Sequence, residues 1–447
     1  MRILMDPVLR DPFESGMVVS CPKRAIDLDR LGSIDVVVVS HRHPDHFDLP
    51  SLDLLSRDCQ VVCANDPLLL HGLRALGFEH VTPMEPHSAM PSTQVELFPT
   101  RSENASVREC GMVISDGSAI FWNQVDTELA PDTIAEVQRR YGRVDLLFAM
   151  YASQNFDFFD SLESEFPHET HRRNLDSALS IAPRLLVPAS AGFCFAGDHA
   201  WLNPFLFPVS RERFTEDLRS LDSAISVALL DPGDQVVLSG GDPRVARAAS
   251  PIATTLDAST SAIRFDPTAS IPPLRDPNPG GLQLGEMRET ITSFLEKELH
   301  PHCLETLSQP GSLAARYRRA GAIYGIEVIF PDHEDAPADF RWTLDFAAQP
   351  LRLSPGVDPR ANVVHRIAAS ALTGWIQRRL GWFSVRAYSR RTSTLCGVSV
   401  HGSRVRVEAI SLPDLLMHFT IYEAADSEDA AKRRIDHEIS QLRESGS

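Results

Sequence analysis

A layered α/β fold followed by a separate α+β region is what this 447-residue sequence predicts. Three observations lead there. Short apolar runs alternate with amphipathic stretches through the first half of the chain. One of those runs, Val36-Val37-Val38-Val39, is apolar on both faces, as in a strand buried inside a sheet. The composition then changes after about Val245, and residues 263–281 gather Pro267, Pro272, Pro273, Pro277 and Pro279 with little periodicity, as a linker would.

Taken in order, strands are expected over residues 2–5, 35–40, 60–64, 94–98, 111–115, 119–122, 144–149 and 185–189. Helices are expected over 51–55, 67–76, 131–141 and 169–181. Beyond the proline-rich stretch come a helix over 284–297, strands over 326–330, 340–346, 394–400 and 404–409, and helices over 361–379 and 429–443. The implied organisation is a first domain over 1–250, a linker over 251–285 and an α+β domain over 286–447.

A net charge of −17 argues against nucleic acid or an anionic membrane as partner, because both need basic patches. No 18-residue apolar stretch occurs, so no membrane span is expected. The seven cysteines are odd in number, scattered, and form no Cys-x-x-Cys. That usage fits a reduced, cytoplasmic setting better than a disulfide framework.

The densest chemistry follows the four valines: His41, His43, Asp45 and His46 lie within six residues at the expected strand end. Imidazole with carboxylate suits zinc, iron or manganese. His41 and His43 are two apart and point the same way on an extended backbone. Pro44 then bends the path, so Asp45 and His46 can face a second metal beside the first.

His41-Arg42-His43-Pro44-Asp45-His46 resembles the His-x-His-x-Asp-His signature of the metallo-β-lactamase superfamily. The resemblance covers roughly the first 250 residues and implies an αββα sandwich, two sheets face to face with helices outside. It implies that His41 and His43 bind one metal, that Asp45 and His46 bind the other, and that Asp126 in Asn123-Gln124-Val125-Asp126 bridges both. Arg2-Ile3-Leu4-Met5-Asp6-Pro7 is similar to the early strand and Asp-Pro turn of the branch holding ascorbate-lactonase-like proteins and CMP-sialic acid hydroxylases, which would make Asp6 a support behind the ligands.

Two positions depart from the hydrolytic members. Where these carry a histidine before the strand at 111–115, this chain has Arg101-Ser102-Glu103-Asn104, and Glu103 or Asn104 could replace the imidazole. Where a final histidine usually follows the strand at 185–189, the chain reads Ala189-Ser190-Ala191-Gly192. More oxygen donors favour iron or manganese over zinc. The departure resembles the CMP-sialic acid hydroxylase-like branch and the dinuclear-iron oxygenases on this fold that tailor natural products, terpenoid antibiotics such as platensimycin among them. The sialic acid hydroxylases carry a Rieske cluster. The paired Cys-x-His and Cys-x-x-His motifs it needs are absent here, so electrons would come from a separate reductase or ferredoxin. The alternation in 286–447 is similar to that of small lipid-carrier-like modules appended to some hydroxylases of the superfamily.

Tyr151 and His199 are candidate catalytic groups, weighed against a tyrosine packing on Phe156 and Phe158 and an ordinary loop histidine. His168 and His171 share a helix face, where surface histidines are common. Phe156, Phe193, Phe195 and Trp201 are candidate substrate contacts; much of this aromatic cluster must be core, yet phenylalanines near a metal site also fit an apolar pocket. The expected function is a non-haem diiron monooxygenase that hydroxylates a hydrophobic natural-product scaffold, terpenoid in the nearest case, using dioxygen and an external electron donor. The alternative is a hydrolase with two zinc ions acting on an ester, lactam or phosphodiester. A metal-binding protein without catalysis is the third reading.

Overall fold

The protein is described by a computed structural model covering every residue except 92–93, 105–106, 191, 338, 402–403, 417–427 and 446–447. Its contacts divide the chain into two units. The first comprises Met1–Asn155, Glu165–Ala269 and Ile435–Ser447; the second comprises Phe156–Ser164 and Ser270–Arg434.

Two large sheets, beside three two-stranded ones, build the first unit among the described residues. One is parallel throughout, ordered Ile3–Met5, Val36–Val39, Gln60–Ala64, Val81–Met84. All four valines of its second strand are buried, as a strand covered on both faces requires. The other sheet is mixed, ordered Leu185–Ala189, Leu146–Met150, Ile120–Asn123, Cys110–Ser115, Glu96–Arg101, Met90–Pro91. Helices Pro67–Leu76, Pro131–Tyr141, His168–Ile181 and Arg211–Leu221 accompany the sheets in the αββα arrangement. The Asp66 carboxylate accepts from Leu68 N, Pro67 follows at the first position, and Gly77 ends the helix at φ +98°. Cys110 N donates to Ser40 O at 3.3 Å and so ties the mixed sheet to the end of the valine strand.

The strands at 60–64 and 185–189 and the helices at 67–76 and 131–141 fall where the sequence puts them. Several elements do not. Residues 361–379 are not one helix: Val363–Ala368 is a strand and Ala369–Ile376 the helix behind it. Burial there alternates, with Val363, His365 and Ile367 inside and Arg366 outside, which is the period of a strand. Part of the expected linker is also structured, since Ala253–Asp257 pairs antiparallel with Lys23–Ile26 in the first unit.

The second unit holds a five-stranded sheet ordered Arg352–Pro355, Arg341–Asp345, Ile323–Ile329, Val363–Ala368, Ser389–Ser393. Its apolar core includes Met287, Ile291, Phe294, Tyr317, Trp375 and Trp382. Inside lies a polar network. Asp414, fully buried, accepts from Arg386 Nη1 at 2.8 Å; Arg386 and Arg391 each donate to Asp160 Oδ1 at 3.0 Å. Tyr324 Oη and His365 Nδ1 are 2.8 Å apart.

Burial, opposed by Asp414 and reinforced by Arg391 and Arg386, pushes the His365 imidazole from 6.5 down to about 4. In the unfolded chain this ring gains its proton at the ordinary value, so between these two limits the unfolded state binds more protons. Its contribution is complete above 6.5 and is lost as pH falls towards 4, by about 3 kcal/mol. His365→Gln should flatten that part of the stability profile, measured as the urea midpoint between about pH 7 and about pH 4. Identical pH profiles for the two proteins would refute the assignment.

Candidate metal centre

The end of the strand Val36–Val39 delivers the first donors. Ser40 N donates to Asp6 Oδ1 and Ser40 Oγ to Asp6 Oδ2, both at 2.7 Å. Asp6 adopts a left-handed φ of +46°, held by these bonds and by its own N–H on Val38 O at 2.9 Å. The same Asp6 Oδ2 lies 3.0 Å from His46 Nδ1, which leaves His46 Nε2 facing the opposite way. Ser40 Oγ is 2.9 Å from His41 Nδ1 and orients that ring similarly. Arg42, between the two first histidines, turns away to Asp66 at 2.8 Å and fixes the turn to the start of the helix Pro67–Leu76.

His41 Nε2 and His43 Nδ1 approach to 2.9 Å. From the mixed sheet, Asp126 brings Oδ2 to 3.6 Å from both His41 Nε2 and His46 Nε2, while Asp45 Oδ2 stands 3.6 Å from His46 Nε2. Donor atoms of His41, His46 and Asp126 all lie within 4.8 Å of one another. Asp126 Oδ1 is buried without a hydrogen-bond partner, although a quarter of the side chain reaches solvent.

The electrostatics are those of a cation site. Burial, with the neighbouring His46 and His43, pushes His41 well down, and burial pushes His43 to about 4, so both are neutral donors. Burial opposes protonation of His46, but Asp45, Asp126 and Asp6 outweigh it and raise that ring. Burial, opposed by His46 and assisted by Asp45 and Asp6, lifts Asp126 to about 6. Desolvated carboxylates against neutral imidazoles, with a buried oxygen unpartnered, fit a bound metal ion that would satisfy all of them.

A further carboxylate, unforeseen in the sequence, acts on the same group. Burial and then the charge of Asp126 push Glu109 up to about 7, and it accepts from Ser102 Oγ at 2.5 Å and Asn104 Nδ2 at 3.2 Å. The available signal was an acidic residue directly before the buried strand Cys110–Ser115. Glu103 instead is exposed, and its main-chain N–H donates to Glu128 O at 2.8 Å. A turn that lays Ser102 and Asn104 on Glu109 leaves Glu103 pointing outward.

Tyr151 is buried against Phe214 in the hydrophobic core, and burial raises its hydroxyl above the ordinary value. His199 sits in the turn Gly197–Leu202, outside the group of donors gathered around Asp126. Phe193 and Phe195 are buried, packed edge-on against each other, with Phe193 also against Phe13 and Phe207. Trp201 packs on Phe205. Phe156 belongs to the second unit and stacks on Phe159 and Phe383. His171 is paired with Asp217 at 2.9 Å.

Residues 1–187 match the model of the beta-lactamase superfamily domain. With the two sheets and the site above, this segment is a metallo-β-lactamase-fold domain. The chain is similar to proteins named for a Rieske 2Fe-2S iron–sulfur centre. It is 23% identical to that of Mycolicibacterium smegmatis over 212 residues, which is 43% of this chain and 40% of the relative. To that of Mycobacterium tuberculosis it is 22% identical over 212 residues, 43% of this chain and 41% of the relative. The match thus spans about two fifths of the length of these curated relatives. Among solved structures, CmlA, a diiron beta-hydroxylase from Streptomyces venezuelae, aligns at 16% identity over 55% of this chain and 50% of that chain, with a TM-score of 0.37. An isothiocyanate hydrolase from Delia radicum gut bacteria aligns at 13% identity over 55% of this chain and 91% of that chain, also at 0.37. At these scores neither neighbour's chemistry transfers to this chain. Among the described residues, no helix is long and apolar enough to cross a membrane.

Proposed function

We propose that the N-terminal domain is a non-haem dinuclear-iron monooxygenase that hydroxylates a hydrophobic small molecule, with electrons from a separate reductase or ferredoxin. The observation that carries this reading is the donor set. Three imidazoles, His41, His43 and His46, stand with the carboxylates Asp45 and Asp126, and a further buried carboxylate, Glu109, is close enough for the Asp126 charge to shift its proton affinity. The segment Ala189-Ser190-Ala191-Gly192 adds no imidazole. Such an oxygen-rich set suits iron better than zinc. His41, His43, Asp45, His46 and Asp126 would hold the metals, which when bound would supply binding and reduction of dioxygen.

The chain's own part is positional and protonic. Asp6 and Ser40 fix the ring planes of His46 and His41 before any ligand arrives. Asp126, coming from the opposite sheet, sets the spacing between the two ends of the His cluster. Glu109, lifted to about 7, can hold a proton on its carboxyl near neutral pH and release it to the site. The balance is one dioxygen, two protons and two electrons per hydroxylated product and water.

The test uses the purified chain and bulky polycyclic acids as probe substrates. The chemically reduced protein should consume dioxygen with a change in near-ultraviolet absorption, and labelled dioxygen should place its atom in the product. Two zinc ions per chain, with ester, lactam or phosphodiester cleavage proceeding anaerobically and label arriving only from water, would overturn the oxygenase reading in favour of a hydrolase.

A further inference from the structure

Two cysteines of the first unit meet away from the histidine cluster. The strand Phe193–Phe195 runs antiparallel to Val18–Ser20, with Cys194 opposite Val19 and Phe193 opposite Ser20. Cys21 continues that register, and its N–H donates to Gly192 O at 2.9 Å. Side chains alternate along a strand, so Cys21 and Cys194 share one face of the pair as diagonal neighbours. The residue directly opposite Cys21 is Gly192, so no side chain stands between the thiols. Asp11 Oδ1 accepts from both N and Oγ of Ser20 at 2.9 Å and pins the strand beside Cys21.

The thiols are chemically unequal. Their proximity lowers Cys194 and, with burial, raises Cys21, whose Sγ also donates to Ser259 O at 3.9 Å, while burial raises Cys59, Cys63, Cys110 and Cys303. A thiol held low beside one held high is the arrangement of an attacking and a resolving cysteine. Their exposures, 6% for Cys21 and 7% for Cys194, are small but leave room for a small neutral oxidant.

We propose that Cys21 and Cys194 are a peroxide-oxidisable pair that closes to a disulfide across these two strands. The Cys194 thiolate attacks one oxygen of hydrogen peroxide; the O–O bond breaks, water leaves after taking a proton, and Cys194 becomes a sulfenic acid. Cys21 sulfur then attacks Cys194 sulfur, the S–O bond breaks, and a second water leaves with the Cys21 proton. Two thiols are oxidised and one peroxide is reduced to two waters. Diagonal neighbours sit about 7–8 Å apart between Cα atoms, so the strand ends draw in by roughly 1 Å to reach disulfide spacing. Cys21 lies beyond the last residue of the strand Val18–Ser20, where the chain has most freedom to follow.

The experiment treats the full chain with a small excess of hydrogen peroxide, caps free thiols with iodoacetamide, digests without reductant and maps cysteine peptides by mass spectrometry. The expected result is a Cys21–Cys194 linked peptide that dithiothreitol reverses, forming before Cys59, Cys63, Cys110 or Cys303 reacts. In Cys21→Ser the link should vanish, and dimedone should trap a sulfenic acid on Cys194. Recovery of Cys21 and Cys194 as capped thiols while other cysteines oxidise, or links from either to a third cysteine, would overturn the proposal. Wild-type mapping decides the matter even if Cys21→Ser does not fold.

Discussion

Chains carrying Asp126→Ala should leave a desalting column with little bound metal, whatever metal they were offered. Asp126 is the donor that the mixed sheet contributes, and its Oδ2 stands 3.6 Å from both His41 Nε2 and His46 Nε2. Its unpartnered, buried Oδ1 leaves a second acceptor for a second ion. Losing a group that merely orients a ligand weakens metal binding by about 10–100-fold, so losing this carboxylate should exceed that range. Elemental analysis after gel filtration measures it, with circular dichroism to verify the fold. Glu103→Ala, at an exposed turn, should retain the metal. Full occupancy in Asp126→Ala would remove Asp126 from the site.

The largest stability effect is expected at Asp414, far from any chemistry proposed above in sequence and function. The network around it balances Arg386 and Arg391 against Asp160 and Asp414. Asp414 and both arginines are nearly or wholly buried, whereas Asp160 keeps 28% of its side chain exposed. Asp414→Ala leaves one buried positive charge uncompensated and also removes the acceptor for Leu416 N, held at 2.9 Å. Breaking a buried pair on one side costs about 3–5 kcal/mol. Chemical denaturation reads the loss, and Asp160→Ala should cost less because water can solvate what remains. A loss for Asp414→Ala below about 1 kcal/mol, the range of surface pairs, would mean that the network is already solvated.

The sequence made the site's front legible and hid its back. His41, His43, Asp45 and His46 could be found because adjacent residues at a strand end are constrained by local geometry alone. Asp126 required a resemblance, since it is carried to the cluster by the meeting of two separate sheets, tied where Cys110 N donates to Ser40 O. Glu109 stayed hidden because its burial depends on how Ser102 and Asn104 fold back onto it, and nothing in Arg108-Glu109-Cys110 encodes that turn. Phe193 and Phe195 read alike as pocket or core in the sequence because a large apolar ring suits both, and ring partners such as Phe13 and Phe207 emerge only once the strands are paired. At residues 361–379, helix-forming alanines and leucines after Ile367 outweighed the strand period of Val363, His365 and Ile367.

From Ile435 onward the helix Glu428–Ser445 belongs to the first unit. His71 bonds Asp436 at 2.7 Å, Arg443 donates to Ala75 O at 2.7 Å, and a methyl group on Gly72 would stand 2.7 Å from Phe47 Cζ and 3.2 Å from Ile435 Cγ2. Phe47 directly follows His46. A fragment excised at the proline-rich stretch would therefore lack part of the wall behind its own histidine turn. Gene shuffling meets the same constraint: this domain cannot be joined end to end like a bead on a string. A recombinant must be built as an insertion, with both flanks of the first unit kept.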